Sequence, residues 1–183
     1  MQLSEQEIIR REKLQQLRDL GVEPYPAEEF VVTSNSKEIK EKYEDGKVVK
    51  LAGRLMSVRV MGKASFAELQ DSEGRIQIYV SRDDISSSEE GVEYNTIFKK
   101  LMDIGDFIGI EGYEFKTKVG EISVHVTKLT LLSKTLRPLP IVKTDDEGNV
   151  FDAFTDPELR YRMRYVDMVV NPHVKEIFLK RTR

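Results

Sequence analysis

The first quarter of the chain has apolar residues at helical spacing. Ser4 and Glu7 stand at the spacing of a capping box, in which each residue satisfies a free amide of the other at the start of a helix. Gly21 suits the left-handed conformation that ends many helices. We therefore predict a helix over residues 4–20 and a shorter one around residues 37–43. The basic residues of the first helix are interpreted as a solvated face and not as RNA contacts, namely Arg10, Arg11, Lys13 and Arg18.

From residue 47 onward, apolar and polar positions alternate, which is typical of β-strands. Turn residues divide this region into strands, and an amphipathic helix over residues 94–102 separates the third strand from the fourth. Three strands, a helix and two strands are the order of an OB-fold, a five-stranded Greek-key barrel. We predict a mainly β fold, in which the barrel carries N-terminal helices and a helical C-terminal extension. The predicted strands span residues 48–60, 65–70, 75–81, 107–116 and 121–132.

The pattern changes again after the last predicted strand. A connector rich in Pro, Asp and Gly spans residues 136–157, and Pro157 is placed to begin a helix that continues through Val169. Asn171-Pro172 begins another helix, which is still running at Arg183, so we expect the natural chain to continue. The predicted domains are an N-terminal helical extension (1–46), the barrel (47–134) and a connector with the start of a further domain (135–183).

Composition narrows the classes of function. The chain has no cysteine and two histidines, so we expect neither disulfides nor a metal site. It has no apolar run of membrane-spanning length and no signal peptide at its start, so we expect a cytoplasmic protein without a membrane partner. The net charge of −3 argues against binding nucleic acid through bulk electrostatics. Recognition of RNA would have to use local contacts.

Strand alternation predicts which side chains the barrel presents to solvent. It places the aromatic Phe66 on an otherwise polar outer face, close to Gln77 on the next strand. OB-folds bind oligonucleotides on this face, where an aromatic ring can stack on a base and an amide can bind a base edge. Arg59 could hold a phosphate or a base, and Glu121 could accept a hydrogen bond from a base. Alternation leaves open that Phe66 covers a barrel end and that the three polar residues are ordinary surface residues.

Several longer motifs carry a resemblance to a known family. They are R-V-M-G-K-A-S-F-A-E-L-Q-D at residues 59–71, G-R-I-Q at 74–77, F-K-T-K at 115–118, L-R-P-L-P at 136–140 and D-P-E-L-R-Y-R-M-R-Y-V-D at 156–167. In these motifs the chain resembles class II lysyl-tRNA synthetases over nearly its whole length. Aspartyl- and asparaginyl-tRNA synthetases share the looser pattern, whereas M-G-K-A-S and L-R-P-L-P favour the lysyl family.

The resemblance implies that the barrel reads the anticodon of a tRNA with a lysine anticodon, whose middle base is uridine. It places Phe66 at the position that stacks on a base, and Arg59, Gln77 and Glu121 at positions that read anticodon bases. The family's catalytic domain lies C-terminal to the barrel, and it ligates lysine to tRNA with ATP and Mg²⁺. The family forms homodimers through that domain.

Two further expectations follow from the resemblance. This 183-residue chain should hold no catalytic residues and should need no cofactor of its own. A bacterial type of enzyme is favoured, because the sequence shows no long Lys-rich N-terminal extension of the eukaryotic kind. The alternative from another class is a free-standing OB-fold module that binds single-stranded nucleic acid or protein without catalysis.

Overall fold

A computed structural model of the chain describes residues 3–86, 90–140, 143–144, 150–151 and 154–182. Contacts divide the chain into two compact units, Met1–Arg137 and Pro138–Arg183. Parts of two predicted loops and the end of the last predicted helix lie outside the described residues, namely 87–89, 141–142, 145–149, 152–153 and Arg183.

The first unit contains the predicted barrel and the N-terminal helices. Its strands begin and end within one or two residues of the predicted positions, because alternation over a half-buried sheet is a strong signal. The predicted helix before the fourth strand is present as a π-helix over Glu93–Leu101. The elements are α1 (Glu5–Asp19), α2 (Ser36–Glu41), β1 (Val48–Met61), β2 (Ala64–Gln70), β3 (Arg75–Ser81), α3 (Arg82–Ile85), the π-helix, β4 (Phe107–Lys116) and β5 (Ile122–Ser133).

The five strands close into a barrel in the order β1-β2-β3-β5-β4, which confirms the predicted OB-fold. β1 closes the barrel by pairing with β4 through its first half and with β2 through its second half. The change of partner comes near Gly53, where an added Cβ would lie 2.5 Å from the carbonyl oxygen of Gln70. Glycine is therefore required there because two backbones approach closely, and the irregularity in the β1–β2 register falls between Leu55 and Ser57.

The barrel interior is filled by the side chains that alternation predicted to point inward. In β2 and β3, every second residue is buried and the residues between them are partly exposed. The π-helix adds Tyr94, whose hydroxyl lies 2.8 Å from the buried Ser65 hydroxyl. The core residues of the strands include Val49, Leu51, Leu55, Ala67, Leu69, Ile76, Ile78, Val80, Ile108, Ile110, Val124, Val126 and Leu131.

Helix α1 begins with the predicted capping box, in which Ser4 and Glu7 bond to each other's backbone amides. The interpretation of its basic residues as a solvated face is wrong for Arg10 and for Lys13. Arg10 is buried, and its guanidinium donates to the carbonyl oxygens of Thr135 and Ile104, both at 3.0 Å. These residues attach the helix to one end of the barrel.

A buried ionic cluster completes this attachment. The Lys134 ammonium group is fully buried and lies 2.8 Å from Asp106 and 2.6 Å from Asp103, which Lys13 also contacts at 2.6 Å. Burial raises the pKa of Asp106, although Lys134 acts in the opposite direction. Burial also acts to raise the pKa of Asp103, but hydrogen bonds from Lys13 and Lys134 lower it on balance.

The described residues of the second unit are mainly helical. Asp156 caps α4 by accepting from the Leu159 amide at 2.8 Å, and Pro157 stands in the first turn as predicted. The single helix predicted up to Val169 is in fact two, because the chain breaks from helical geometry at Met163. The elements are the short strands β6 (Lys143–Thr144) and β7 (Val150–Phe151), followed by α4 (Pro157–Arg162), α5 (Arg164–Val170) and α6 (Pro172–Thr182).

The ionic cluster yields a test of stability. Lys134→Ala should lower the free energy of unfolding by about 3–5 kcal/mol, because it leaves Asp106 buried without a cationic partner. The loss should shrink as the pH falls, since protonation of Asp106 removes the unpaired charge and its pKa is already raised. Urea denaturation at several pH values measures both effects.

Lys128→Ala is the matched control, because Lys128 pairs with Glu111 at 3.3 Å while its own side chain is 68% exposed. An exposed pair of this kind contributes about 0–1 kcal/mol. Equal losses in the two variants would contradict a special role for the buried cluster.

Candidate nucleic-acid interface

Strand register aligns the predicted site residues in two neighbouring rows across the barrel surface. Arg59 of β1 lies opposite Phe66 of β2, and Phe66 lies opposite Tyr79 of β3. In the next row, Gln77 of β3 lies opposite Ser123 of β5. The side chains of Phe66, Tyr79 and Gln77 point outward, because the residues between them along β2 and β3 fill the core.

The two rows border a single pocket of about 350 Å³ on this face of the barrel. The four residues predicted from the sequence, Arg59, Phe66, Gln77 and Glu121, all line it. Five lining residues were not predicted as part of the site, namely Lys40, Ser57, Ala67, Glu68 and Arg75. Alternation places Glu68 on the outward face with Phe66, and Arg75 on the outward face with Gln77, but it gives no reason to single out either residue.

Phe66 forms the apolar wall of the pocket. Its ring is partly exposed, and its centroid lies 5.2 Å from that of Tyr79, which packs against it at a tilt of 56°. The Arg59 guanidinium lies 5.8 Å from the ring centroid. The sequence neighbours Ser65 and Ala67 point into the barrel and are buried. A partly exposed ring between a supporting aromatic residue and a cation can accept a flat base against its open side.

The amide of Gln77 is oriented by a buried hydroxyl. Ser123 is fully buried, and its hydroxyl donates to the side-chain oxygen of Gln77 at 3.0 Å. The side-chain nitrogen of Gln77, which carries two hydrogens, is thereby left for a ligand. The sequence showed that Gln77 could both donate and accept, and the structure favours its use as a donor.

The charged residues of the pocket differ in whether another side chain already pairs with them. Arg75 donates to Glu68 at 3.0 Å and to Gln70 at 2.8 Å, so its charge is largely neutralised. Glu121 is exposed at the β4–β5 turn, and Thr117 fixes its backbone through reciprocal hydrogen bonds of 3.0 Å. Within the described part of the chain, Arg59 is exposed and no carboxylate pairs with it. It can therefore reach a phosphate or a base edge.

An aromatic cluster supports the pocket from the side of β5. His125 lies 4.9 Å from Tyr79 and stacks on Tyr113 at 4.7 Å, so it is part of this cluster and not a simple surface residue. Its Nε2 lies 2.8 Å from the Asp84 carboxylate. Burial acts to raise the pKa of Asp84, but hydrogen bonds from His125 and Ser81 lower it on balance. The cluster holds Tyr79 in place behind Phe66.

Comparison with known proteins agrees with this geometry. The family model described as the OB-fold nucleic acid binding domain, of the tRNA anticodon group, matches residues 49–132. Over these residues the barrel is similar to the tRNA anticodon OB-fold group. The match covers every strand of the barrel from the start of β1 almost to the end of β5.

Whole-chain comparisons are equally specific. A lysine–tRNA ligase of Porphyromonas gingivalis W83 is 62% identical over 187 aligned residues, which cover 100% of this chain. One of Christiangramia forsetii is 62% identical over 182, and one of Azobacteroides pseudotrichonymphae is 56% identical over 184. The chain spans only about a third of these relatives, namely 32% of the first two and 37% of the last. In the described residues, no helix is both long and apolar enough to cross a membrane.

The position of Phe66 gives a test of the interface. Phe66→Ala should weaken binding of an anticodon stem-loop by about 1–3 kcal/mol, because it removes the ring on which a base can stack. Phe66→Leu is the matched control for packing, since it keeps apolar bulk beside Tyr79 but has no ring. Binding titration and thermal melting of both variants provide the measurement.

If Phe66 acts by stacking, both variants should lose affinity while both keep melting temperatures close to that of the wild type. A sharp drop in melting temperature, or full affinity in Phe66→Leu, would instead show that Phe66 serves only to pack the barrel surface.

Proposed function

We propose that the pocket reads an anticodon base of a tRNA with a lysine anticodon, as one part of a longer lysine–tRNA ligase. The observation that carries the proposal is the meeting of Arg59, Phe66, Gln77 and Glu121 in one pocket on the oligonucleotide-binding face of the barrel. An aromatic wall, an oriented amide, a cation and a carboxylate are the groups that recognise an unpaired base.

Each residue has a distinct part in this proposal. Phe66 stacks on the middle base of the anticodon, and the Gln77 nitrogen donates to a carbonyl oxygen on the edge of that base. Uridine has a carbonyl at the position where cytidine has an amino group, so a fixed donor distinguishes the two. Arg59 binds a phosphate or a base edge. Glu121 accepts from an amino or imino group of an anticodon base.

The longer protein is proposed to activate lysine with ATP and Mg²⁺ and to transfer it to the tRNA. We propose further that it acts in the cytoplasm and forms a homodimer through its catalytic domain. The similarity to lysine–tRNA ligases supports this reaction. We also propose that residues 1–46, 47–134 and 135–183 are the helical extension, the anticodon-binding barrel and the link to the catalytic domain.

The donor geometry of Gln77 gives a test of base specificity. Gln77→Ala should reduce the preference for uridine over cytidine at the middle position more than it lowers overall affinity, because the donor that tells the bases apart is gone. A lost partner of this kind costs about 1–3 kcal/mol. Binding is titrated against stem-loops that differ only at the middle base.

Two further variants sharpen this test. Gln77→Glu replaces the donor by an acceptor, so its ratio of uridine to cytidine affinity should fall below that of Gln77→Ala. Ser123→Ala removes the hydroxyl that orients the amide, and it should reduce the ratio while leaving stacking affinity in place. An unchanged uridine preference in Gln77→Ala would show that Gln77 is not the reader.

The same titration separates this function from that of a general OB-fold module. We expect a clear preference of the wild-type chain for a lysine anticodon stem-loop over an unrelated single strand of equal length. Equal affinity for both would favour a module that binds single strands without regard to sequence.

The reaction of the longer protein is tested by exchange of pyrophosphate into ATP. The complete gene product should show lysine-dependent exchange, and the 183-residue chain alone should show none, because we propose that the lysine and ATP sites lie in the catalytic domain. Exchange by the pure shorter chain would contradict the proposed division of labour.

A further inference from the structure

Lys40 lies at the rim of the base pocket, although it belongs to neither the barrel nor a predicted site. It stands on α2, its side chain is exposed, and it lines the pocket together with Arg59 and Phe66. Among the residues that the structure describes, no carboxylate is paired with its ammonium group. The pocket therefore has a second uncommitted cation besides Arg59.

A carboxylate clasp fixes the helix that carries Lys40. Asp71, at the turn between β2 and β3, accepts from the backbone amide and from the hydroxyl of Ser36, both at 2.6 Å. The same carboxylate accepts from the Gly74 amide at 2.9 Å, so one side chain joins the helix to the turn. Nearly one turn further along the same face of the helix, Ile39 is buried in the core at 1% exposure. α2 is thus attached firmly beside the pocket.

A second concave region continues from the pocket along this helix. It measures about 320 Å³ and lies between α2 and the β2–β3 turn. The two regions share Lys40 and Arg75, which therefore stand where one opens into the other. Arg75 is already bound to Glu68 and Gln70, so Lys40 is the cation available at this junction.

We infer that Lys40 binds a backbone phosphate of the RNA strand as it leaves the base pocket towards the groove beside α2. The inference rests on the proposed function, because it requires an RNA base in the pocket. A lysine ammonium is a compact charge on a long flexible stem, which suits a phosphate and carries no preference for one base. A strand whose base stacks on Phe66 has its sugar and phosphate at the pocket rim, where Lys40 and Arg59 stand on different elements.

The test measures stem-loop binding by the wild-type chain and by variants over a series of salt concentrations. Lys40→Gln should lower affinity for the uridine and cytidine stem-loops by the same factor. It should also reduce the slope of log affinity against log salt by about 0.7, the value for one phosphate contact with a single strand. Lys40→Arg should restore both quantities, since it keeps the charge.

Lys100→Gln is the matched control, because Lys100 is also an exposed lysine on a helical segment but lines neither concave region. It should change neither the affinity nor the slope. Thermal melting of each variant checks that an exposed substitution has left the fold intact.

The outcomes separate this inference from the proposed function. If the wild type prefers the lysine anticodon stem-loop over an unrelated strand while Lys40→Gln keeps the full salt dependence of affinity, the inferred phosphate contact is wrong. The proposed base-binding function is unaffected in that case. A loss confined to one of the two stem-loops would make Lys40 a base reader and overturn the inference. If Lys100→Gln lowered the affinity and the salt slope as much as Lys40→Gln does, the effect of Lys40 would be one of net charge alone and the inference would be wrong. A wild type without stem-loop preference would overturn both.

Discussion

The parallel pairing of β3 with β5 is the constraint on which the pocket depends. This pairing joins β3 to β5 within the closed ring of strands, and its register sets Gln77 directly opposite Ser123. Parallel neighbours cannot be joined by a tight turn, so the chain reaches β5 through the π-helix and β4. The pairing that holds β3 and β5 together in the barrel therefore also orients the Gln77 amide. By the same pairing the buried hydroxyl of Ser123 gains the Gln77 side-chain oxygen as an acceptor at 3.0 Å, nearer than the carbonyl oxygen of Glu121 at 3.4 Å.

Elements outside the barrel are attached through polar contacts as well as apolar ones. Arg10 and Lys13 attach α1 to the barrel end, and Asp71 attaches α2 to the β2–β3 turn. Charged residues make up 33% of the chain, and several of them serve as connectors within the fold. A carboxylate that accepts from both a helix and a turn fixes their separation more narrowly than an apolar contact could, because hydrogen bonds have a preferred direction and length. Hydrogen bonds therefore set the position of α2, and with it the position of Lys40 at the pocket rim.

The sequence was sufficient for the strands and for the side chains that they present. Period-two alternation fixes the outward face of β2 and β3, so Phe66 and Gln77 could be placed from their positions alone. Alternation could not predict the register between β3 and β5, because it identifies the two faces of each strand but not which residues of a distant strand lie opposite. The sequence alone therefore could not show that Ser123 orients Gln77, although alternation places Ser123 on the outward face of β5.

The roles of Arg10 and Lys40 could not be predicted from the sequence, because they depend on contacts with elements that are distant along the chain. Arg10 reads as a surface residue of an amphipathic helix, and its partners are carbonyl oxygens, which every residue has. Lys40 reads as one lysine among several on a short helix. Its place beside the pocket depends on the contact between Asp71 and Ser36, two residues whose types are common in any turn or helix cap. Local pattern holds no information on such contacts.

The distribution of charge bears on the proposal that this acidic chain binds a polyanion selectively. With a net charge of −3, the chain as a whole is not expected to bind RNA through bulk electrostatics. In the pocket, Arg75 is neutralised by Glu68, which leaves Arg59 and Lys40 as the cations that can meet phosphate. In the proposed function, two phosphate contacts supply limited affinity that is independent of sequence. Most of the discrimination is then assigned to stacking on Phe66 and to the oriented amide of Gln77, contacts that only an unpaired base can make.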